Sequence, residues 1–151
     1  MSKLYLAYGS NLNLEMMKSR CPNANMVGHT LLKDYRLVYK GYDKYNAYLT
    51  IEPCEGKIVP LGIFNVSLSD RFKLDIYEGY PSLYHIEKKV ITRNGLESKG
   101  FIYVMNNGYD YNIPSEDYIL ECYKGYKDFG FDIDILKEAL EYTKLKCLIR
   151  K

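Results

Sequence analysis

The chain has no tryptophan, two histidines and no pair of cysteines at CxxC spacing, and each shortage closes off a class of function. His29 and His85 both lie in strand-like runs with no nucleophile motif beside them, so neither a Ser–His nor a Cys–His mechanism finds its parts. Both read better as surface or core histidines. Cys21, Cys54, Cys122 and Cys147 are isolated from one another, without histidines at metal-binding spacing, and read as reduced structural thiols. No HExxH sequence and no phosphate-binding Walker loop occurs, and Gly9 stands alone instead of within GxGxxG. The residues therefore call for no metal and no cofactor. There is also no long apolar run. Met1-Ser2-Lys3-Leu4-Tyr5 leads directly into a strand pattern, so a signal peptide or membrane helix is not expected, no membrane partner is implied, and the cytoplasm is the default location. Charge of one sign is missing as well: 21 Lys and Arg against 19 Asp and Glu leave a formal net charge of +2. Without a basic block, nothing demands nucleic acid.

What is present is the composition of an ordinary folded domain. The 151 residues are 47% hydrophobic and 26% charged, which suits one domain over residues 1–151 able to bury roughly two-thirds of its unfolded surface. Seventeen tyrosines are the unusual feature. Amphipathic rings can line a polar cleft, but they also suit half-buried sheet faces, and the sheet reading comes first for most of them. Stacking on single-stranded RNA is the weaker alternative, because the electrostatic footprint for it is absent.

Along the chain, Leu4 to Tyr8 reads as a buried strand that stops at Gly9-Ser10-Asn11. A helix should follow, capped by Asn11 or Asn13, with Leu12, Met16 and Met17 on its apolar face and Pro22 at its end. Interleaved β-branched, aromatic and polar residues predict strands over 26–39, 45–51 and 59–66, punctuated by Gly28, Gly41 and Pro53. Ser67 or Ser69 then offers an N-cap for a helix that Gly79 stops. Residues 84–92 and 100–105 flank Asn94-Gly95, the strongest short hairpin signal. Beyond Pro114 the apolar spacing turns helical twice, the second time after Asp132 or Asp134. This order is too irregular for a doubly wound sheet and predicts an α+β fold, with a mainly antiparallel sheet that could curl into a small barrel flanked by helices.

Two segments carry candidate chemistry. At Tyr8-Gly9-Ser10-Asn11 a strand gives way to a helix through a glycine, and free N–H groups at such a junction can hold an anion. At Asp75-Ile76-Tyr77-Glu78-Gly79-Tyr80 a glutamate ends a predicted helix among aromatic residues. The negative end of the helix dipole and an apolar surround would both raise its pKa toward neutrality, which suits general acid and base work. On these residues alone, a tight turn and a solvated helix-end glutamate explain the same patterns.

Taken together these segments resemble the γ-glutamylcyclotransferase superfamily. The resemblance rests on Tyr5-Leu6-Ala7-Tyr8-Gly9-Ser10-Asn11, on Leu49-Thr50-Ile51-Glu52-Pro53 and on Leu74-Asp75-Ile76-Tyr77-Glu78-Gly79-Tyr80 with Tyr84, and runs on through Gly100 to Asn106, Pro114, Tyr118 and Gly125-Tyr126. It implies a small β-barrel flanked by helices and release of 5-oxoproline (pyroglutamate) from a γ-glutamyl substrate. It also implies a catalytic Glu78, a substrate loop of Tyr8, Gly9, Ser10 and Asn11 with Tyr5 at its entrance, and Tyr84 and Tyr118 lining the site. The partner it implies is a small molecule, with no metal or cofactor; oligomeric state is left open, a homodimer included. One departure stands out. Many relatives place glycine and small residues before the Thr-Ile pair, whereas Asn46-Ala47-Tyr48-Leu49 brings a bulkier wall here, which bears on the leaving group accepted. A non-catalytic binding or sensing domain that keeps the same pocket is the alternative reading.

Overall fold

The computed structural model describes residues 3–150. Its elements follow in the order β1 (Lys3–Ala7), α1 (Leu14–Arg20), β2 (Asn25–Asp43), β3 (Asn46–Val66), α2 (Leu68–Glu78), β4 (Tyr84–Arg93), β5 (Leu96–Met105), β6 (Asp110–Tyr111), α3 (Glu116–Phe129) and α4 (Asp134–Arg150), with a single 3₁₀ turn over Ser10–Leu12. The strands form one sheet in the order β4-β5-β1-β3-β2-β6. Every neighbouring pair is antiparallel except β1 with β5. The fold is therefore α+β with a mainly antiparallel sheet, as expected. Closure is partial: the sheet curls into a half-barrel, and β2 meets β4 where Thr30 Oγ1 donates to Thr92 O at 2.9 Å.

The Asn94-Gly95 hairpin forms as its residues require. Arg93 pairs with Leu96, and both turn residues have positive φ, 52° and 76°, the conformation of the tight hairpin turn that matches strand twist. The expected strands over 45–51 and 59–66 differ from what is found, because they are one strand. β3 runs unbroken from Asn46 to Val66, and its register against β2 jumps from Lys33↔Ile58 to Tyr35↔Pro53. Asp34 thus faces four residues, and it holds the bulge with its own side chain, Oδ1 accepting from Gly56 N at 3.0 Å. Pro53 and Gly56 mark a bend that re-aims the hairpin without ending it.

The turn at the end of β1 is fixed by a slot too narrow for any side chain but the one that fills it. Leu12 is fully buried. On one side lies Gly62 of β3, where an added Cβ would come within 2.7 Å of Leu12 Cδ2. On the other lies Gly125 of α3, where a Cβ would fall 2.6 Å from Asn13 N and 2.7 Å from the Leu12 carbonyl carbon. Missing side chains thus let strand, turn and helix close on one leucine. The expected helix accordingly divides: Ser10–Leu12 is a separate 3₁₀ turn, and α1 starts afresh with Asn13 as its N-cap, Oδ1 accepting from Met16 N at 3.2 Å.

Gly125→Ala tests this slot. Alanine in a helix interior ordinarily gains about 1 kcal/mol over glycine, but here the obstructing atoms are backbone and cannot rotate away. Overpacking of this kind costs about 1–3 kcal/mol, so the variant should show a lower urea midpoint at unchanged m-value.

Candidate active site

Glu78 owes its place to the two ends of α2. Ser67 caps the N-terminus reciprocally with Asp70: Ser67 Oγ accepts from Asp70 N at 3.1 Å, and Asp70 Oδ2 accepts from Ser67 N at 3.0 Å. Ser67, not Ser69, is thus the cap. At the C-terminus Gly79 takes the left-handed conformation at φ 66°, while Tyr80 N donates to Asp75 O at 2.9 Å and Gly79 N to Ile76 O at 3.2 Å. This Schellman arrangement ends the helix at Glu78.

There Glu78 borders a cavity of about 530 Å³ lined by the turn after β1, the end of α2, the start of α3 and the start of β3. All eight residues singled out in the sequence line it: Tyr5, Tyr8, Gly9, Ser10, Asn11, Glu78, Tyr84 and Tyr118. Neither histidine does. Tyrosine is far more concentrated here than the sheet-face expectation allowed, for Tyr42, Tyr48, Tyr77 and Tyr103 bring the count to eight of seventeen.

The hydroxyls divide into two kinds. Tyr8 donates to Tyr103 O at 2.6 Å and Tyr84 to Leu49 O at 2.7 Å, so both hydrogens are spent on main-chain carbonyls. Tyr5 instead accepts from Asn11 Nδ2 at 2.9 Å, and Tyr118 accepts from Leu49 N at 3.0 Å. Neither of these two hydroxyls gives its hydrogen to a main-chain carbonyl. Burial raises the pKa of all four well above the ordinary phenol value, so they are neutral hydrogen-bond donors and acceptors near pH 7.

The loop is braced from behind by a residue the sequence reading did not single out. Arg20, at the end of α1, donates to Asn11 Oδ1 and to Ser10 Oγ (3.4 Å), and its guanidinium lies 3.5 Å from the centre of the Tyr77 ring. Tyr77 Oη in turn lies 3.0 Å from Ser10 Oγ. Arg20 is the single cation among the described lining residues, against Glu78, Asp117 and Glu121. A basic residue in the last turn of a helix usually complements the dipole and faces solvent, so only the fold reveals this role. The N–H groups that open the 3₁₀ turn have no intrahelical acceptor, and Gly9, Ser10 and Asn11 all border the cavity.

Burial pushes the Glu78 carboxyl from its ordinary 4.5 up to about 7, the positive charge of Arg20 opposing the rise. The carboxyl is therefore close to evenly divided between acid and base at neutral pH, which is where a group that must both take and return a proton works best.

Comparison with known proteins is decisive about kinship. Residues 5–120 match the family described as gamma-glutamyl cyclotransferase, AIG2-like. The chain belongs to this family. A mouse gamma-glutamylcyclotransferase is 32% identical over 135 residues, covering 84% of this chain and 71% of its own. Among solved structures, a gamma-glutamyl cyclotransferase superposes with a TM-score of 0.78 at 25% identity, over 92% of this chain and 86% of that one. An uncharacterized human protein superposes at 0.77 with 26% identity, over 91% and 86%. Family and relatives support an enzyme of the gamma-glutamylcyclotransferase type.

The raised pKa makes a stability prediction that needs no substrate. Folded Glu78 holds its proton more tightly than in the unfolded chain, so its contribution favours folding below about pH 4.5 and is lost as pH rises through about 7. Glu78→Gln cannot ionise. Thermal melts from pH 4 to 8 should show the parent losing stability relative to this variant across that window.

Proposed function

We propose that this cyclotransferase-family chain releases 5-oxoproline and a free amine or amino acid from a γ-glutamyl substrate, with Glu78 as the general acid and base. The observation that carries the reading is the carboxyl of Glu78, its pKa near neutrality, bordering the same cavity as the Tyr8–Asn11 loop. The Gly9, Ser10 and Asn11 amides and the hydroxyls of Tyr5 and Tyr118 suit a γ-glutamyl group, whose α-carboxylate and γ-carbonyl both need donors.

The reaction requires few catalytic groups because the nucleophile belongs to the substrate. Glu78 takes a proton from the α-ammonium, and the freed amine attacks the substrate's own γ-carbonyl carbon. A five-membered ring closes as the new C–N bond forms. Holding the two ends together replaces a bimolecular encounter and lowers the barrier by several kcal/mol, out of the roughly 7–11 that well-oriented intramolecular reactions can gain. Loop amides or a tyrosine hydroxyl stabilise the oxyanion of the tetrahedral intermediate. Its collapse breaks the bond from the γ-carbon to the departing nitrogen. The ring nitrogen gives up its second proton to Glu78 once the first has been delivered, and the departing nitrogen, taking both protons in turn, leaves as an ammonium while the ring keeps a single N–H. Nothing in these steps calls for a covalent enzyme intermediate, and the setting we propose is cytoplasmic.

A panel of γ-glutamyl amino acids and γ-glutamylamines, assayed for 5-oxoproline by mass spectrometry, tests the proposal. The parent should turn over at least one member, and Glu78→Gln should lower kcat by roughly 10²–10⁴-fold, the usual contribution of general acid–base catalysis, with KM little changed. Equal turnover by the variant removes Glu78 from the mechanism; no 5-oxoproline from any member overturns the reaction.

A further inference from the structure

The half-barrel has a second concavity at its other end. β1 and β5 run parallel, and their later residues Tyr8 and Tyr103 border the candidate active site, at or just beyond the strands' ends. Lys3 and Leu4 of β1 and Lys99 to Phe101 of β5 open instead on a separate groove of about 540 Å³, which also takes in Ile86, Lys88 and Arg93 along β4 and Arg71 in the first turn of α2. Five cations line it, Lys3, Arg71, Lys88, Arg93 and Lys99, and among the described lining residues there is no carboxylate. Its apolar lining is Leu4, Val27, Ile86 and Phe101.

Of these cations only Arg71 is matched, its Nε donating to Asp75 Oδ1 at 3.0 Å. Among the described residues no carboxylate lies within ion-pairing distance of the other four. The Nε of Arg93 is buried with no hydrogen-bond acceptor. On a chain of net charge +2 such convergence is a local feature. Like charges facing one concavity repel, and low-dielectric walls focus their field on whatever enters. A buried guanidinium N–H without an acceptor is a group that an incoming anion would satisfy.

We infer that this groove binds a small phosphate monoester carried on an organic body. A phosphate monoester brings close to two negative charges and three strong acceptor oxygens, which suits several converging Lys and Arg donors better than a single carboxylate does. The apolar lining calls for more than a bare ion, and the volume lies within the range of small-molecule sites. The ligand chemistry is shared by nucleotides and sugar phosphates, and binding separates them. The inference stands apart from the proposed reaction, since none of the five cations borders the other cavity.

Isothermal titration with adenosine monophosphate, glucose 6-phosphate, inorganic phosphate and adenosine tests it on the whole chain. At least one monoester should bind saturably, at least tenfold more tightly than inorganic phosphate, and weaken as salt screens the groove; the tighter of the two names the source. Adenosine should not bind. The exposed pair Lys88→Glu with Lys99→Glu, and separately Arg93→Gln, should each weaken binding at least tenfold. The double variant changes only solvent-facing side chains, so it keeps the test valid if Arg93→Gln fails to fold. No saturable binding of either monoester, or equal binding by the double variant, overturns the inference.

Discussion

The placement of one leucine governs what the rest of the fold can do. Leu12 sits between β3 and α3 in a slot that exists because Gly62 and Gly125 have no side chains. Protein interiors are packed so closely that an added methyl group forces movement; at Gly125 the atoms that would have to move include main chain, and at Gly62 they are the side chains of Leu12 and Phe129. The slot therefore sets the height and direction of the Ser10–Leu12 turn. The amides of Gly9, Ser10 and Asn11 take their positions from that turn, and the end of α2 is placed opposite by its own caps.

Glu78 and Arg20 show how the site balances burial against charge. A carboxyl among tyrosines loses hydration and becomes a weaker acid; a nearby guanidinium works against that loss. The balance lands close to neutrality because Arg20 is already committed elsewhere, donating to Ser10 and Asn11 and stacked on Tyr77. A cation so engaged moderates the carboxyl without forming an ion pair with it. The same arginine ties the loop to the last turn of α2, so the geometry of the loop and the acidity of Glu78 depend on one side chain.

Much of this was legible in the sequence where a local rule was decisive. Asn94-Gly95, the serine cap before α2 and the Gly79 stop each depend on residues within a few positions, and each forms there, with Ser67 and not Ser69 taking the cap. Where distant segments decide, the sequence was silent. β3 reads as two strands because Pro53 looks like a break, and only the pairing with β2 around Asp34 shows that residues 54–57 form a bulge. The tyrosines read as sheet residues because strands favour them; that eight converge on one cavity follows from the curl of the sheet and from α2 and α3 bringing Tyr77 and Tyr118 to it, which no local pattern contains. Gly125 and Gly62 carry no signal in isolation, for a glycine needed for space looks like any other. Arg20 carries no signal in the sequence, and its role shows only when the end of α2 is laid across it.

The position of β1 in the sheet also shapes how the fold is acquired. This first strand lies between β3 and β5, pairing Tyr5 with Phe64 on one side and Phe101 on the other. Its second neighbour is made about a hundred residues after it. Until then its edge is open, and the loops that must close to cover it are long, which is the topology of a slowly folding chain. The charge at Lys3, which begins β1, sits on that open edge and discourages other strands from adding to it in the meantime.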